Sequence, residues 1–138
     1  MPAKDRYHDA VKRALVKAGW EIIRDQYPIR IGDKRIWIDF SAEEADGSTA
    51  AFFEVKDFHN SQSVQLLRDA VGQYVLYRAA MRHAKLGAYP LFLAVPQLVF
   101  DEMLSCPVGR LVIEDVEMNL LIFDPIKESI AQWLPFTK

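Results

Sequence analysis

Two stretches of alternating residues flank an Asp-Gly pair, and together they demand a β-hairpin. The first is Ile36-Trp37-Ile38-Asp39-Phe40 and the second is Ala51-Phe52-Phe53-Glu54-Val55-Lys56. Asp46-Gly47 lies in the middle of the polar run between them. Asp-Gly favours a two-residue type I′ turn, because both central residues of that turn need φ > 0. A turn centred there fixes the pairing by symmetry: Asp39, seven residues before Asp46, faces Glu54, seven after Gly47. Their Cβ atoms then stand about 5 Å apart across the ladder. Alternation assigns Ile36, Ile38 and Phe40 to one face and Trp37, Asp39 and Ser41 to the other, with Lys56 emerging beside Glu54.

The rest of the chain supplies what such a hairpin packs against. Tyr7, Ala10, Val11, Ala14, Leu15 and Ala18 recur at helical spacing over residues 5–18, and Gly19 ends that helix. Residues 20–24 and 28–32 are apolar stretches broken at Tyr27-Pro28, which predicts an edge strand with a kink. Residues 61–85 read as a long helix, with Ser61 or Ser63 as its N-cap and a buried stripe through Val64, Leu67, Ala70, Val71, Tyr74 and Ala80-Met81. Gly72 inside it costs about 1 kcal/mol relative to Ala, which suggests close packing there. The unbroken apolar run Leu91–Val95 predicts a buried central strand. Pro96 begins a short helix through Met103. A helix is preferred over 107–115, strands at 120–123 and 130–134, and a turn at Asp124-Pro125. The expectation is a single α/β domain over 1–138, with a mixed sheet flanked by helices.

Composition narrows the function classes. The 138 residues are 51% hydrophobic, enough for a sizeable core. No apolar run reaches the ~20 residues of a membrane span. No apolar signal region follows the N-terminus, and a cytoplasmic protein is expected. The single cysteine, Cys106, excludes an internal disulfide and any multi-cysteine zinc site. A net charge of −2 argues against coating nucleic acid by bulk electrostatics. The charge is segregated, however. Residues 36–60 hold six acids and one base, while 1–35 hold nine bases and five acids and 61–90 hold four bases and one acid. A cation at the acidic centre and phosphates on the basic flanks would suit such a pattern; an ordinary mixed surface would also produce it.

The hairpin residues carry the clearest chemistry. Hydrolysis of a phosphodiester with Mg²⁺ (or Mn²⁺) needs hard oxygen ligands, an activated water and a cation to offset the charge of the transition state. Asp39, Glu54 and the backbone carbonyl of Val55 can supply the ligands, and Lys56 can orient the water or stabilise the charge. Without a cation, two opposed carboxylates repel. An acid-x-Lys triplet is a weak motif alone, and a cross-strand pair neutralised by Lys56 explains it equally. Gln73 and Tyr77 lie one turn apart on the long helix. Gln73 could reach the metal or a phosphate, or could be an amide on a solvated face. His8 could assist proton transfer. Asp9 could complete a metal shell, or could be a favourable charge near a helix N-terminus. His59, in the loop after Lys56, is a candidate substrate contact.

Several stretches are familiar together: Pro2-Ala3-Lys4-Asp5, Tyr7-His8-Asp9-Ala10-Val11, Glu54-Val55-Lys56, Gly72-Gln73-Tyr74 with Leu76-Tyr77-Arg78, Phe123-Asp124-Pro125 and Trp133-Leu134-Pro135. In these the chain resembles the XisH family, the fdxN-element excision controlling factors of cyanobacteria. The resemblance covers nearly the whole chain. It implies a fold similar to restriction endonucleases and Holliday-junction resolvases, the PD-(D/E)xK group. That group's motif would fall on Asp39, Glu54 and Lys56, and its helical glutamine on Gln73. Two positions depart from the pattern: Ile38, not proline, precedes Asp39, and Asp57, not serine, follows Lys56. The resemblance further implies DNA, an XisI-type companion protein and a site-specific recombinase as partners, with a homo-oligomer as a further expectation. It leaves two functions open, a Mg²⁺-dependent endonuclease and a non-catalytic accessory protein that binds the companion or DNA.

Overall fold

The hairpin forms, and its register is the expected one. The structure is a computed structural model that describes residues 6–56 and 63–135, Ser63 by its backbone only. Strand β2 (Lys34–Glu44) runs antiparallel to β3 (Ala50–Val55), with Phe40 opposite Phe53 and Glu43 opposite Ala50. These pairs are symmetric about Asp46-Gly47, so Asp39 is level with Glu54. The turn itself is not type I′, because Gly47 has a positive φ (76°) and Asp46 does not. The loop is wider. Glu44 N–H donates to the Thr49 carbonyl at 2.8 Å, and Asp46 Oδ1 accepts the Ser48 N–H at 2.9 Å. An aspartate bonding the backbone two residues on takes the place of the two-residue turn.

The hairpin belongs to a six-stranded mixed sheet in the order β1-β2-β3-β4-β5-β6. β1 (Trp20–Ile31) and β6 (Ser129–Leu134) are its antiparallel edges, while β3, β4 (Leu91–Pro96) and β5 (Asn119–Asp124) are parallel. Parallel neighbours need crossovers. Helix α2 (Ser63–His83) connects β3 to β4. The connection from β4 to β5 is α3 (Gln97–Val99), a π-helical turn (Phe100–Leu104) and α4 (Pro107–Val116). The preferred helix over 107–115 is therefore α4, and the segment after Pro96 is part α, part π. The proposed cap at Ser61 lies outside the described residues.

Both faces of the sheet are covered. Leu91, Leu93, Val95, Leu120 and Ile122 pack with Leu66, Leu67, Ala70, Tyr74 and Met81 of α2. Phe53, Val55, Phe92, Ala94, Leu121 and Phe123 pack with Val11 and Leu15 of α1 (His8–Lys17). The expected single apolar face on β2 is corrected here. Ile38 lies in the α2 core and Phe40 in the α1 core, although strict alternation would put both on one side. The break coincides with Gln26 on β1, which is level with Asp39 and holds a left-handed φ of 54°. The left-handed residue of β1 is thus Gln26, one residue before the expected Tyr27-Pro28 break, and the strand continues through both to Ile31. Gly72 does not serve close packing among the described residues: a Cβ there would meet none of their atoms within 4 Å.

Candidate active site in the fork between two strands

The β2–β3 ladder ends at the Phe40–Phe53 pair. Beyond it the acids take the place of ladder carbonyls. Asp39 Oδ2 accepts the Val55 N–H at 2.8 Å, and Glu54 Oε1 accepts the Asp39 N–H at 3.1 Å. The second oxygen of Glu54 accepts from Gln73 Nε2 at 2.8 Å. Both acids are only 7% exposed. Two carboxylates so close and so dry repel each other, a cost that the N–H donors offset in part.

Helix α2 delivers Gln73 and Tyr77 to the α2 side of this fork. Burial raises the Tyr77 phenol above its ordinary pKa; the charge of Glu54 and, less strongly, that of Asp39 add to this, while a hydrogen bond with Gln73 opposes it. A neutral phenol thus stands in the field of the acid pair. Gln73 Oε1 is buried without a hydrogen-bond partner among the described residues.

Helix α1 delivers His8 from the other side, with its side chain 1% exposed. Its Nε2 is 2.9 Å from Asp25 Oδ1, and its Nδ1 is 3.8 Å from Asp39 Oδ1. With Nε2 donating to Asp25, the neutral ring presents Nδ1 as an acceptor toward Asp39; the imidazolium would present a donor. Lys12 also donates to Asp25, at 3.1 Å. Burial works against ionisation of Asp25, but the hydrogen bonds from His8 and Lys12 outweigh it and hold the carboxyl below its ordinary range.

The structure thus brings Asp39, Glu54, Gln73, Tyr77 and His8 together. The acids do not share one plain face: Glu54 reaches toward α2, whereas Asp39 sits in the fork with His8 on its α1 side. Asp9, by contrast, is exposed. Its charge acts on Arg13, whose guanidinium pKa is raised chiefly by the hydrogen bond to Glu128. Lys56 follows β3, half-buried, with its N–H bonded to the Ala94 carbonyl at 2.9 Å. The acid–base contacts at this site among the described residues involve His8 and Lys12 rather than Lys56. His59 and Asp57 lie outside the described residues. Sequence reasoning missed Asp25, because nothing local marks an edge-strand residue as the partner of a helix residue 17 positions away.

The donor set is compatible with a hard divalent cation. Among the described residues no group of three His, Cys, Asp or Glu side chains forms a metal cage. Mg²⁺ does not require one, since it commonly takes one or two carboxylates and keeps several waters. Asp39 and Glu54 supply carboxylate oxygens, and Gln73 supplies an amide oxygen without a hydrogen-bond partner among the described residues. In a strand, the N–H and C=O of one residue point the same way, so the Val55 carbonyl faces the fork where the ladder has ended.

A mixed sheet covered on both faces, with a buried acid pair in the fork of its central hairpin, defines an α/β protein with a polar candidate site. The family model described as XisH protein matches residues 1–131, and the chain belongs to that family. An XisH family protein from Nostoc punctiforme is 32% identical, with a TM-score of 0.83 over 94% of this chain and 98% of that one. An fdxN element excision controlling factor protein from Anabaena variabilis is 30% identical, with a TM-score of 0.83 over 93% of this chain and 97% of that one. The structure of an EndoMS–dsDNA2 complex aligns with a TM-score of 0.49 and 14% identity over 91% of this chain and 48% of that one. No curated protein matches the sequence.

Proposed function

We propose that this protein acts on DNA in the excision of a DNA element, through a restriction-endonuclease-like site that hydrolyses phosphodiesters with Mg²⁺ or Mn²⁺. The observation that carries this reading is the pair of buried carboxylates, Asp39 and Glu54, interlocked in the fork of the sheet with Gln73 against one of them. Burying two like charges is costly unless a cation or a catalytic need justifies it, and perturbed acids cluster at functional sites. Asp39, Glu54 and the Val55 carbonyl would hold the ion. The ion would lower the pKa of a bound water and offset charge on the phosphoryl oxygens. Gln73 orients Glu54, Tyr77 presents a neutral hydroxyl nearby, and Lys56 supplies a positive charge past the end of β3. His8 stands where it can hold a proton beside Asp39. An XisI-type companion and a recombinase are the protein partners of this reading.

Purified protein with either metal is expected to nick or cut duplex, branched or single-stranded DNA, and Lys56→Ala to slow it by at least tenfold. Failure to cleave any of the three with either metal, or an undiminished Lys56→Ala rate, overturns the catalytic reading. A second reading is favoured by the hydrogen bonds themselves. Each acid satisfies the backbone of the opposite strand, so the pair could be purely structural in an accessory protein that binds a companion or DNA. That reading expects DNA or companion binding unchanged in Asp39→Asn and no Mg²⁺ binding by calorimetry.

A further inference from the structure

A cleft of about 890 Å³ opens away from the acid pair, within the range typical of small-ligand sites. The acids lie at the carboxyl end of β3, whereas the cleft lies where β4 and β5 begin, at Leu91 and Asn119. Its floor is apolar, with Met81, Leu104 and Met118 buried beneath it. The rings of Tyr74 and Phe100 add flat walls.

Three arginines line this cleft: Arg78 and Arg82 from α2, and Arg110 from α4. Arg78 and Arg110 are oriented by neutral groups. Arg78 Nη1 donates to the Val116 carbonyl at 2.8 Å, and the guanidinium lies 5.2 Å from the centre of the Tyr74 ring. Arg110 Nε donates to the Ser105 carbonyl at 2.8 Å. Arg82 lies along Gly87, where a Cβ would come within 3.3 Å of its Cγ. Glu114 and Glu117 also line the cleft, yet none of the three arginines is in an ion pair among the described residues. Carbonyl anchors use only some of the five N–H donors of an arginine. The remaining donors of Arg78 and Arg110 are held in place by those anchors, and planar forks of this kind match carboxylate and phosphate oxygens.

We propose that this cleft binds a small organic anion, a carboxylate or phosphate carried on a flat apolar body. The site is independent of the acid pair and of any nuclease activity.

Calorimetric titration of the full chain with benzoate, adenosine monophosphate and inorganic phosphate tests it without DNA or metal. At least one of the two organic anions is expected to bind more tightly than 1 mM, and which one does so assigns the head group. Inorganic phosphate is expected to bind at least fivefold more weakly than that anion. Arg82→Gln and Arg110→Gln alter exposed side chains and are each expected to weaken binding at least fivefold, with melting temperatures close to that of the wild type. Absence of binding by both organic anions, equal binding of inorganic phosphate, or a smaller loss in either variant overturns the proposal.

Discussion

The Asp39 carboxylate accepts the Val55 N–H while the Glu54 carboxylate accepts the Asp39 N–H, so each acid takes a backbone hydrogen of the opposite strand. Among the described residues the two differ in what else they accept. Both oxygens of Glu54 face donors, Asp39 N–H and Gln73 Nε2. An amide at position 54 would aim an N–H at one of these, whereas an amide at 39 can keep its oxygen on Val55 and turn its nitrogen toward His8 Nδ1. Glu54→Gln is therefore expected to cost about 1–3 kcal/mol, the penalty for a buried donor left without an acceptor. Asp39→Asn is expected to cost less. Urea unfolding of the two variants without metal checks the order; an Asp39→Asn that is the more destabilised would contradict the geometry.

A cation that binds the folded acid pair and not the unfolded chain must stabilise the fold by mass action. Magnesium at a hundred times its Kd is expected to add about 2.7 kcal/mol. The gain is expected to disappear in Asp39→Ala. Thermal unfolding with and without Mg²⁺, for both proteins, measures it without any assumption about the DNA substrate. An equal gain in the variant would move the metal away from the fork.

The hairpin register was legible because symmetry about Asp46-Gly47 is a property of the chain, and the apolar alternation left no competing register. Leu91–Val95 was legible for a similar reason, since an unbroken apolar run is buried on both faces wherever it sits. The split of Ile38 and Phe40 between two cores was not legible. It coincides with one left-handed residue, Gln26, of a type with no preference for that conformation. The His8–Asp25 contact was equally hidden, because it joins a helix to an edge strand through tertiary packing alone. The facing of Asp39 and Glu54 was legible; their linkage, side chain to opposite backbone, depends on where the ladder ends and was not.

Asp25 gives the fold an acid-sensitive contact. Its carboxyl pKa is lowered in the folded protein, where bonds from His8 and Lys12 exceed the burial penalty. A lowered carboxyl pKa means that the unfolded chain binds the proton more readily. The stabilisation is then complete above the ordinary aspartate pKa near 4 and is lost as pH falls through the folded value. Asp25→Asn is expected to melt below wild type at pH 7, with the gap closing as pH falls below about 4. Melting curves from pH 7 down to 3 test this. A gap that stays constant would mean that Asp25 acts by shape rather than by charge.

Two helical glycines make opposite predictions. Gly72 lies inside α2 with a negative φ and open space where a Cβ would go. Alanine there removes the extra backbone freedom of glycine in the unfolded chain at no steric cost, so Gly72→Ala is expected to stabilise by about 0.5–1 kcal/mol. Gly109, in the first turn of α4, is the reverse. A Cβ would fall 2.6 Å from the Leu104 carbonyl oxygen and 2.7 Å from that of Met103. These are backbone atoms of the π-helical turn, so relief requires the whole α3–α4 connection to shift. Gly109→Ala is expected to destabilise by about 1–3 kcal/mol, as other overpacked sites do. It should also disturb the neighbouring arginine cleft, since Leu104 and Arg110 both line it. Urea midpoints for the two variants should move in opposite directions, and a Gly109→Ala as stable as wild type would show that this turn yields freely.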